Sequence, residues 1–132
     1  MADQQVRCVV VTPEKTELDV KCDSLVVPLF DGELGILAGR APMVGRLGFG
    51  ILKLRNGSSI DEWFVDGGFI QVTREGTFVL TDKLVKTSQL NKAQAEEDLN
   101  KATASKAASP EAMALKERSI ARARAKYRLA KD

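Results

Sequence analysis

The stretch Asp31-Gly-Glu-Leu-Gly-Ile-Leu-Ala-Gly-Arg-Ala-Pro-Met-Val-Gly-Arg-Leu-Gly-Phe-Gly50 decides how the rest of the chain is read. Seven of its twenty residues are Gly (32, 35, 39, 45, 48 and 50) or Pro (42), with apolar residues between them. A helix does not tolerate that density, because each Gly costs about 1 kcal/mol against Ala in a helix interior. The stretch reads instead as short strands joined by tight turns, where Gly supplies positive φ or lets two backbones approach closely. On physics alone it is a turn-rich corner of a small β domain. A phosphate-binding loop is the weaker reading, since neither Gly-x-Gly-x-x-Gly before a helix nor Gly-Lys-Ser/Thr is present.

Working outward, the flanks carry the same signature. Upstream, Val6-Arg-Cys-Val-Val-Val11 is a β-branched run ended by Thr12-Pro13. A short strand over 18–20 returns, and Ser24-Leu-Val-Val-Pro-Leu-Phe30 is another. Pro28 predicts an edge or end position for that strand, because proline cannot donate to a ladder. Downstream, Ile51-Leu-Lys-Leu-Arg55 alternates apolar and basic, Asn56-Gly57 turns it into a strand over 60–65, and Gly67-Gly68 begins Phe69-Ile-Gln-Val-Thr73. Glu75-Gly76 then turns the chain into Phe78-Val-Leu80. Many short strands with frequent turns predict a small antiparallel sandwich or barrel.

Composition changes near Lys86: beyond it there is no Gly, and the only Pro is Pro110. Asn91-Lys-Ala-Gln94 has the capping-box form, and Glu96, Glu97 and Asp98 near that helix start suit its dipole. Ser109-Pro110-Glu111 opens a second helix with a capping Ser and Pro at the first helical position. The expected division is a β domain over 1–86 and a helical hairpin over 87–132. Between 93 and 130 there are twelve alanines but only six larger apolar residues: Leu99, Met113, Leu115, Ile120, Tyr127 and Leu129. A buried methyl contributes roughly 0.8 kcal/mol, against about 1.5–3 for a full Leu or Ile. Such a seam packs closely yet holds modestly, as suits an element that moves.

The charge is divided. Residues 1–85 hold 9 Lys+Arg against 12 Asp+Glu, a net of −3, whereas 86–132 hold 11 against 6, a net of +5. The basic residues of the second helix (Lys116, Arg118, Arg122, Arg124, Lys126, Arg128, Lys131) admit three readings. One is a solvated face with ion pairs inside the hairpin, Glu96–Asp98 lying opposite 120–124. Another is an acidic protein partner, to which weakly hydrated arginines are suited. Nucleic acid ranks last, because Tyr127 is the only aromatic in the tail.

Several function classes fall away. The chain has no His, so Ser-His-Asp and Cys-His nucleophile systems are impossible, and a zinc site would have only Cys8, Cys22 and carboxylates. Asp61-Glu62 and Asp31/Glu33 have no spacing that singles them out, and solvated acids are the plain reading. No metal, cofactor or independent enzymatic activity is expected. Cys8 and Cys22 read as buried reduced thiols, with a disulfide between them as the alternative. No apolar run approaches about 18 residues, and no export leader is expected.

Together these residues resemble the epsilon-subunit family of bacterial and chloroplast F-type ATP synthases (delta in mitochondria). The matching string is Gly32-Glu33-Leu34-Gly35-Ile36-Leu37, then Ala41-Pro42, Leu47 and Gly50. A second block is Val65-Asp66-Gly67-Gly68-Phe69-Ile70-Gln71-Val72, followed by Val79-Leu80-Thr81-Asp82, and Leu90 before the Ala-rich helix completes the order.

The resemblance implies an α+β chain, a flattened antiparallel β-sandwich of about ten strands followed by a two-helix antiparallel hairpin. It implies a non-catalytic rotor subunit that joins, with the gamma subunit, the catalytic head to the c ring of a proton-translocating synthase. Its place would be peripheral, on the cytoplasmic face of a bacterial inner membrane or the stromal face of a plastid thylakoid. Glu33, Leu34, Gly35 and Arg40 match the family's c-ring contact. The hairpin is expected to lie folded or to extend toward the alpha and beta subunits. Extended, it would inhibit hydrolysis through Arg118, Arg122, Arg124 and Arg128 against an acidic segment of beta.

Two features depart from the family pattern. Arg40 stands where His is usual before Ala-Pro. The ATP-binding motif Ile/Leu-Asp-x-x-Arg-Ala is represented by Leu90-Asn91-Lys92-Ala93-Gln94-Ala95. Leu90, Asn91, Gln94 and Ala95 thus form a vestige without the acid or the arginine, and ATP binding is expected to be weak or absent. The alternative function is a free-standing sandwich adaptor whose basic helix binds an acidic partner.

Overall fold

A computed structural model describes residues 5–130. They divide into two compact units, one ending at Val85 and one starting at Lys86. The first contains strands β1 (Val6–Val11), β2 (Thr16–Cys22), β3 (Ser24–Leu29), β4 (Gly32–Leu37), β5 (Met43–Asn56), β6 (Ser59–Thr73) and β7 (Gly76–Leu80). A short β8 (Leu84–Lys86) pairs with β6. Hydrogen bonding runs in the order β2-β1-β7-β6-β5-β3-β4. All pairings on that path are antiparallel except β1 with β7, which is parallel.

The path folds over so that both of its ends bury side chains in one core. Val6, Cys8, Val10 and Cys22 from one end meet Leu25, Val27 and Ile36 from the other, with Leu52, Leu54, Ile70 and Val79 between them. The Asn56-Gly57 hairpin ties the layers at a corner: the Asp23 N–H donates to the Arg55 carbonyl (2.8 Å), and the Gly57 N–H to the Asp23 carboxylate (2.7 Å). The sandwich expected from the turn-rich sequence is thus present, with eight strands among the described residues where the resemblance implied about ten.

The count is lower because Gly here bends strands rather than ending them. Gly45, Gly48 and Gly50 lie inside the single 14-residue β5, not in turns between short strands. Gly67 and Gly68 likewise lie inside the 15-residue β6, not at the start of a new strand. Gly68 has φ +112, and a Cβ there would fall on the backbone carbonyl of Leu80. Close approach, rather than chain reversal, is what Gly48 and Gly68 provide against the backbone of Leu29 and Leu80, while Gly45 and Gly50 leave room for neighbouring side chains. Pro28 also departs from expectation. Its strand β3 is flanked by both β4 and β5, and the missing donor falls where the β3–β5 register shifts between Val26 and Leu29. A bulge accommodates proline in an interior strand.

The second unit is α1 (Lys92–Ala104) and α2 (Pro110–Leu129). Asn91 caps α1 by accepting from the Gln94 N–H (2.9 Å), and Ser109 caps α2 by accepting from the Ala112 N–H (3.0 Å). Only half of the capping box forms, because the Gln94 side chain donates to Asp98 (2.9 Å) instead of returning to Asn91. The first turn of α1 holds no acid, so Glu96, Glu97 and Asp98 sit beyond the reach of its N-terminal dipole. Among the described residues of this unit, all those that are buried are alanines: Ala95, Ala123, Ala125 and Ala130. Leu99, Ile120, Tyr127 and Leu129 are half-buried, while Met113 and Leu115 are exposed.

Candidate functional site

The Gly-rich string that opens the sequence analysis becomes, over residues 32–41, an edge strand and a turn. Among the described residues β4 pairs only with β3, leaving its other edge open. Glu33 and Gly35 stand exposed on β4, whereas Leu34 turns inward and packs against the core. The chain then turns over 38–41, where the Arg40 N–H donates to the Leu37 carbonyl (3.2 Å) and Gly39 has φ +85. The Arg40 side chain is exposed, and its Nη2 approaches the Met43 thioether at 3.9 Å. Glu33, Gly35 and Arg40 therefore belong to one accessible rim, and Leu34 supports it from beneath.

Beside this rim runs an apolar band that the sequence reading missed. Phe30 is 69% exposed, its ring lies under the Arg46 guanidinium at 4.8 Å, and its N–H donates to the Arg46 carbonyl. Arg46 pairs across β5–β6 with Phe69, and Phe69 pairs across β6–β7 with Leu80. Phe69 and Leu80 are exposed, as is Val44, on the same face of β5 as Arg46. Apolar residues in both phases of Phe69-Ile70-Gln71-Val72 were the available signal: Ile70 and Val72 fill the core, so Phe69 must point outward. A contiguous exposed patch of this kind marks an interaction surface.

The second Gly block is structural. Asp66 is buried and its N–H donates to Thr81 Oγ1 (3.0 Å), while the Thr81 N–H donates to the Val11 carbonyl (3.0 Å). Cys8 and Cys22 are free and buried. Burial, then Cys22 and Asp19, push the Cys8 thiol up to about 12, and burial raises Cys22 too, which makes both inert nucleophiles. Arg7 holds Asp19 in a two-point ion pair (3.0 and 2.8 Å) and lowers its carboxyl below the usual range.

In the hairpin, Arg118, Arg124 and Arg128 are exposed and Arg122 is half-buried; Lys131 lies outside the described residues. Arg124 and Arg128 are four residues apart and share one helix stripe. The Lys92 ammonium sits over the Tyr127 ring at 5.1 Å, joining the start of α1 to the end of α2. Leu90 is half-buried, Asn91 and Gln94 are exposed and engaged in the cap, and Ala95 is buried. That segment thus presents amide groups, without a charged side chain at either motif position. Among the described residues no cluster of Cys, Asp and Glu could hold a metal ion.

The family model for the ATP synthase delta/epsilon chain beta-sandwich domain matches residues 5–87. The chain is 45% identical over 123 residues to the ATP synthase epsilon chain of Rhodopirellula baltica, covering 93% of this chain and 96% of that one. It belongs to the ATP synthase delta/epsilon family. It is 29% identical over 125 residues to the sodium-ion-specific epsilon chain of Propionigenium modestum, covering 93% of this chain and 91% of the relative. In fold it matches a chain of the Euglena gracilis mitochondrial ATP synthase assembly (OSCP, F1 and c-ring), with TM-score 0.80, 21% identity, and coverage of 94% and 80%. Epsilon chains are non-catalytic subunits, and this chain is one of them. The solvated acids Asp31, Glu33, Asp61 and Glu62 therefore need no catalytic account. Among the described residues no helix is long and apolar enough to cross a membrane.

Proposed function

We propose that this epsilon-family chain is a central-stalk rotor subunit that couples the catalytic head of a proton-translocating F-type ATP synthase to its c ring. The observation that carries this is the 45% identity to an epsilon chain over 93% of the sequence, spanning both the sandwich and the hairpin. Glu33, Gly35 and Arg40 on the open rim would meet the polar loops of the c ring, with Leu34 holding β4 in place. The apolar band of Phe30, Phe69, Leu80 and Val44 would receive the gamma subunit. The chain would sit peripherally on the cytoplasmic face of a bacterial membrane.

The hairpin would act as a brake on hydrolysis. A seam whose buried residues are all alanines supports this, because docking such a surface gains little and leaving it loses little. Extended, it would set Arg118, Arg122, Arg124 and Arg128 against an acidic segment of the beta subunit.

ATP hydrolysis by an epsilon-depleted complex tests both parts, with the full chain or residues 1–88 added back and binding followed by co-sedimentation. Both should bind, and only the full chain should inhibit. Binding without inhibition by either removes the brake and leaves the coupling role. Failure of both to bind a compatible complex overturns the rotor assignment. Reversing the four arginines to Glu should relieve inhibition without releasing the chain.

A further inference from the structure

We propose that Asn56-Gly57 is a latent deamidation site, kept closed in the folded chain by the Asp23 carboxylate and the Lys21 carbonyl at the corner between β2 and β3. Of the three Asn in the chain, Asn56 alone precedes Gly; Asn91 and Asn100 both precede Lys. Asparagine is among the thermolabile residues, and its route of loss is attack by the next residue's backbone nitrogen on its side chain. Gly at that next position leaves the nitrogen unshielded, because it has no Cβ. Asn56 ends β5 and pairs with Ser59, and Gly57 opens the turn between them with φ +59. Both Asn56 and Gly57 are exposed.

The reaction needs no co-reactant but water. The Gly57 N–H gives its proton to hydroxide, and the nitrogen bonds to Asn56 Cγ. The Cγ–Nδ2 bond breaks, and the leaving group takes a proton from water to depart as ammonia. Water then opens the cyclic imide at one of its two carbonyls. One opening leaves an aspartate; the other leaves an isoaspartate, whose backbone runs through the side-chain carbon.

The folded chain holds the reacting groups on separate partners. The Gly57 N–H, which carries the nucleophile, donates to the Asp23 carboxylate at 2.7 Å. The Asn56 amide, the electrophile, donates through Nδ2 to the Lys21 carbonyl at 3.3 Å and is held toward β2. The Asp23 N–H donates to the Arg55 carbonyl at 2.8 Å, which fixes the corner against the hairpin. Attack needs the two groups aligned and near contact, so the first two of these bonds must break. The carboxylate also acts by charge. Its distance is that of a general base, yet the attacking species is an amide anion, and a carboxylate beside it disfavours that like charge. Asp23 is a guard, not a catalyst.

Both products untie the corner that joins the two layers. An aspartate at this position gives up the donor to Lys21 and sets a second carboxylate near Asp23. An isoaspartate lengthens the backbone at the end of β5 and breaks its register with Ser59. The site does not depend on the central-stalk reading, and the test uses the full chain alone.

The purified full chain is incubated at neutral pH, and mass spectrometry of the peptide carrying residue 56 follows the exchange of amide for acid. The unaltered chain should keep this amide far longer than the same chain unfolded in urea. Asp23→Ala should lose it about tenfold faster than the unaltered chain, the equivalent of about 1.4 kcal/mol. Because the guard is local, that rate should not change with urea below the unfolding transition, whereas a route through the unfolded chain would accelerate steeply. Arg7→Ala removes the exposed Asp19 ion pair but leaves the corner intact, and should match the unaltered chain. Asp23→Asn keeps an acceptor without the charge and should also be faster; it decides the matter if Asp23→Ala does not fold.

An Asp23→Ala rate at or below that of the unaltered chain overturns the proposal. So does an acceleration that climbs with low urea, one shared by Arg7→Ala, or loss from the unaltered chain as fast as from the unfolded one.

Discussion

Replacing Gly68 by Ala should bring the sandwich close to unfolding, and the size of the effect can be worked from its surroundings. A Cβ at Gly68 falls on the Leu80 carbonyl oxygen, 2.9 Å from the carbonyl carbon and 3.0 Å from Thr81 Cα. These are backbone atoms, so no side-chain rotation relieves the clash, and the φ of +112 is one that L-residues rarely adopt. The end of β7 must move, and with it Thr81, which accepts from the buried Asp66 N–H at 3.0 Å. Backbone strain of about 1–3 kcal/mol and the loss of one buried hydrogen bond, about 1–3 kcal/mol, give about 2–6 kcal/mol. A unit ending at Val85 has about 4–13 kcal/mol in all.

Urea unfolding followed by the fluorescence of Trp63, the single Trp and packed against the core, measures this. With an m-value of about 1–3 kcal/mol/M, a loss of ~4 kcal/mol lowers the midpoint by more than about 1 M. Gly35→Ala is the control: its added Cβ meets nothing within 4 Å and its φ is not positive. It should change stability by less than about 0.5 kcal/mol. An unchanged midpoint for Gly68→Ala, or equal shifts in both variants, refutes the close-approach argument.

Three further outcomes are expected. Ser109→Ala leaves the Ala112 N–H without its cap and should cost about 1 kcal/mol, read as lower helicity of α2 by circular dichroism. Cys8 keeps its proton in the folded chain up to about pH 12, whereas the unfolded thiol loses it near 9.0. Its contribution to stability is thus fully present below pH 9 and is lost as pH rises toward 12. Cys8→Ala should flatten that decline in a series of alkaline unfolding curves, and an equally steep decline would rule the thiol out as its source. Calorimetry with the full chain should detect no micromolar ATP binding, and Asn91→Asp with Gln94→Arg should create it, since Asp preserves the α1 cap while Arg restores the charge; micromolar binding by the unaltered chain would show that the motif is not vestigial.

Local chemistry was legible without coordinates. The density of Gly and Pro over 31–50 excludes helix, Asn91 and Ser109 mark helix starts, and the alanine excess predicts a shallow seam. Each of these follows from conformational preferences within a few residues, so neighbours along the chain suffice. Glu33, Gly35 and Arg40 were readable as a group because one short strand and its turn carry them all. By contrast, a Gly that ends a strand and a Gly that bends one look alike in one dimension. Whether Gly48 and Gly68 did one or the other depended on which backbone lay across from them, Leu29 and Leu80 respectively. Pro28 was misplaced for the same reason, since a bulge is a property of two strands.

The apolar band and a cleft at one end of the sandwich belong wholly to this second category. Phe30, Arg46, Phe69 and Leu80 come from separate segments that register alone sets in a row. The turns that carry Arg40 and Arg74, distant in sequence, border one cleft only because the paired strands bring them to the same end of the sandwich. Conformation along the chain is written in short-range sterics and hydrogen bonding. Which side chains are left unpaired or exposed depends on contacts between distant segments, and those exist only once the strands have paired.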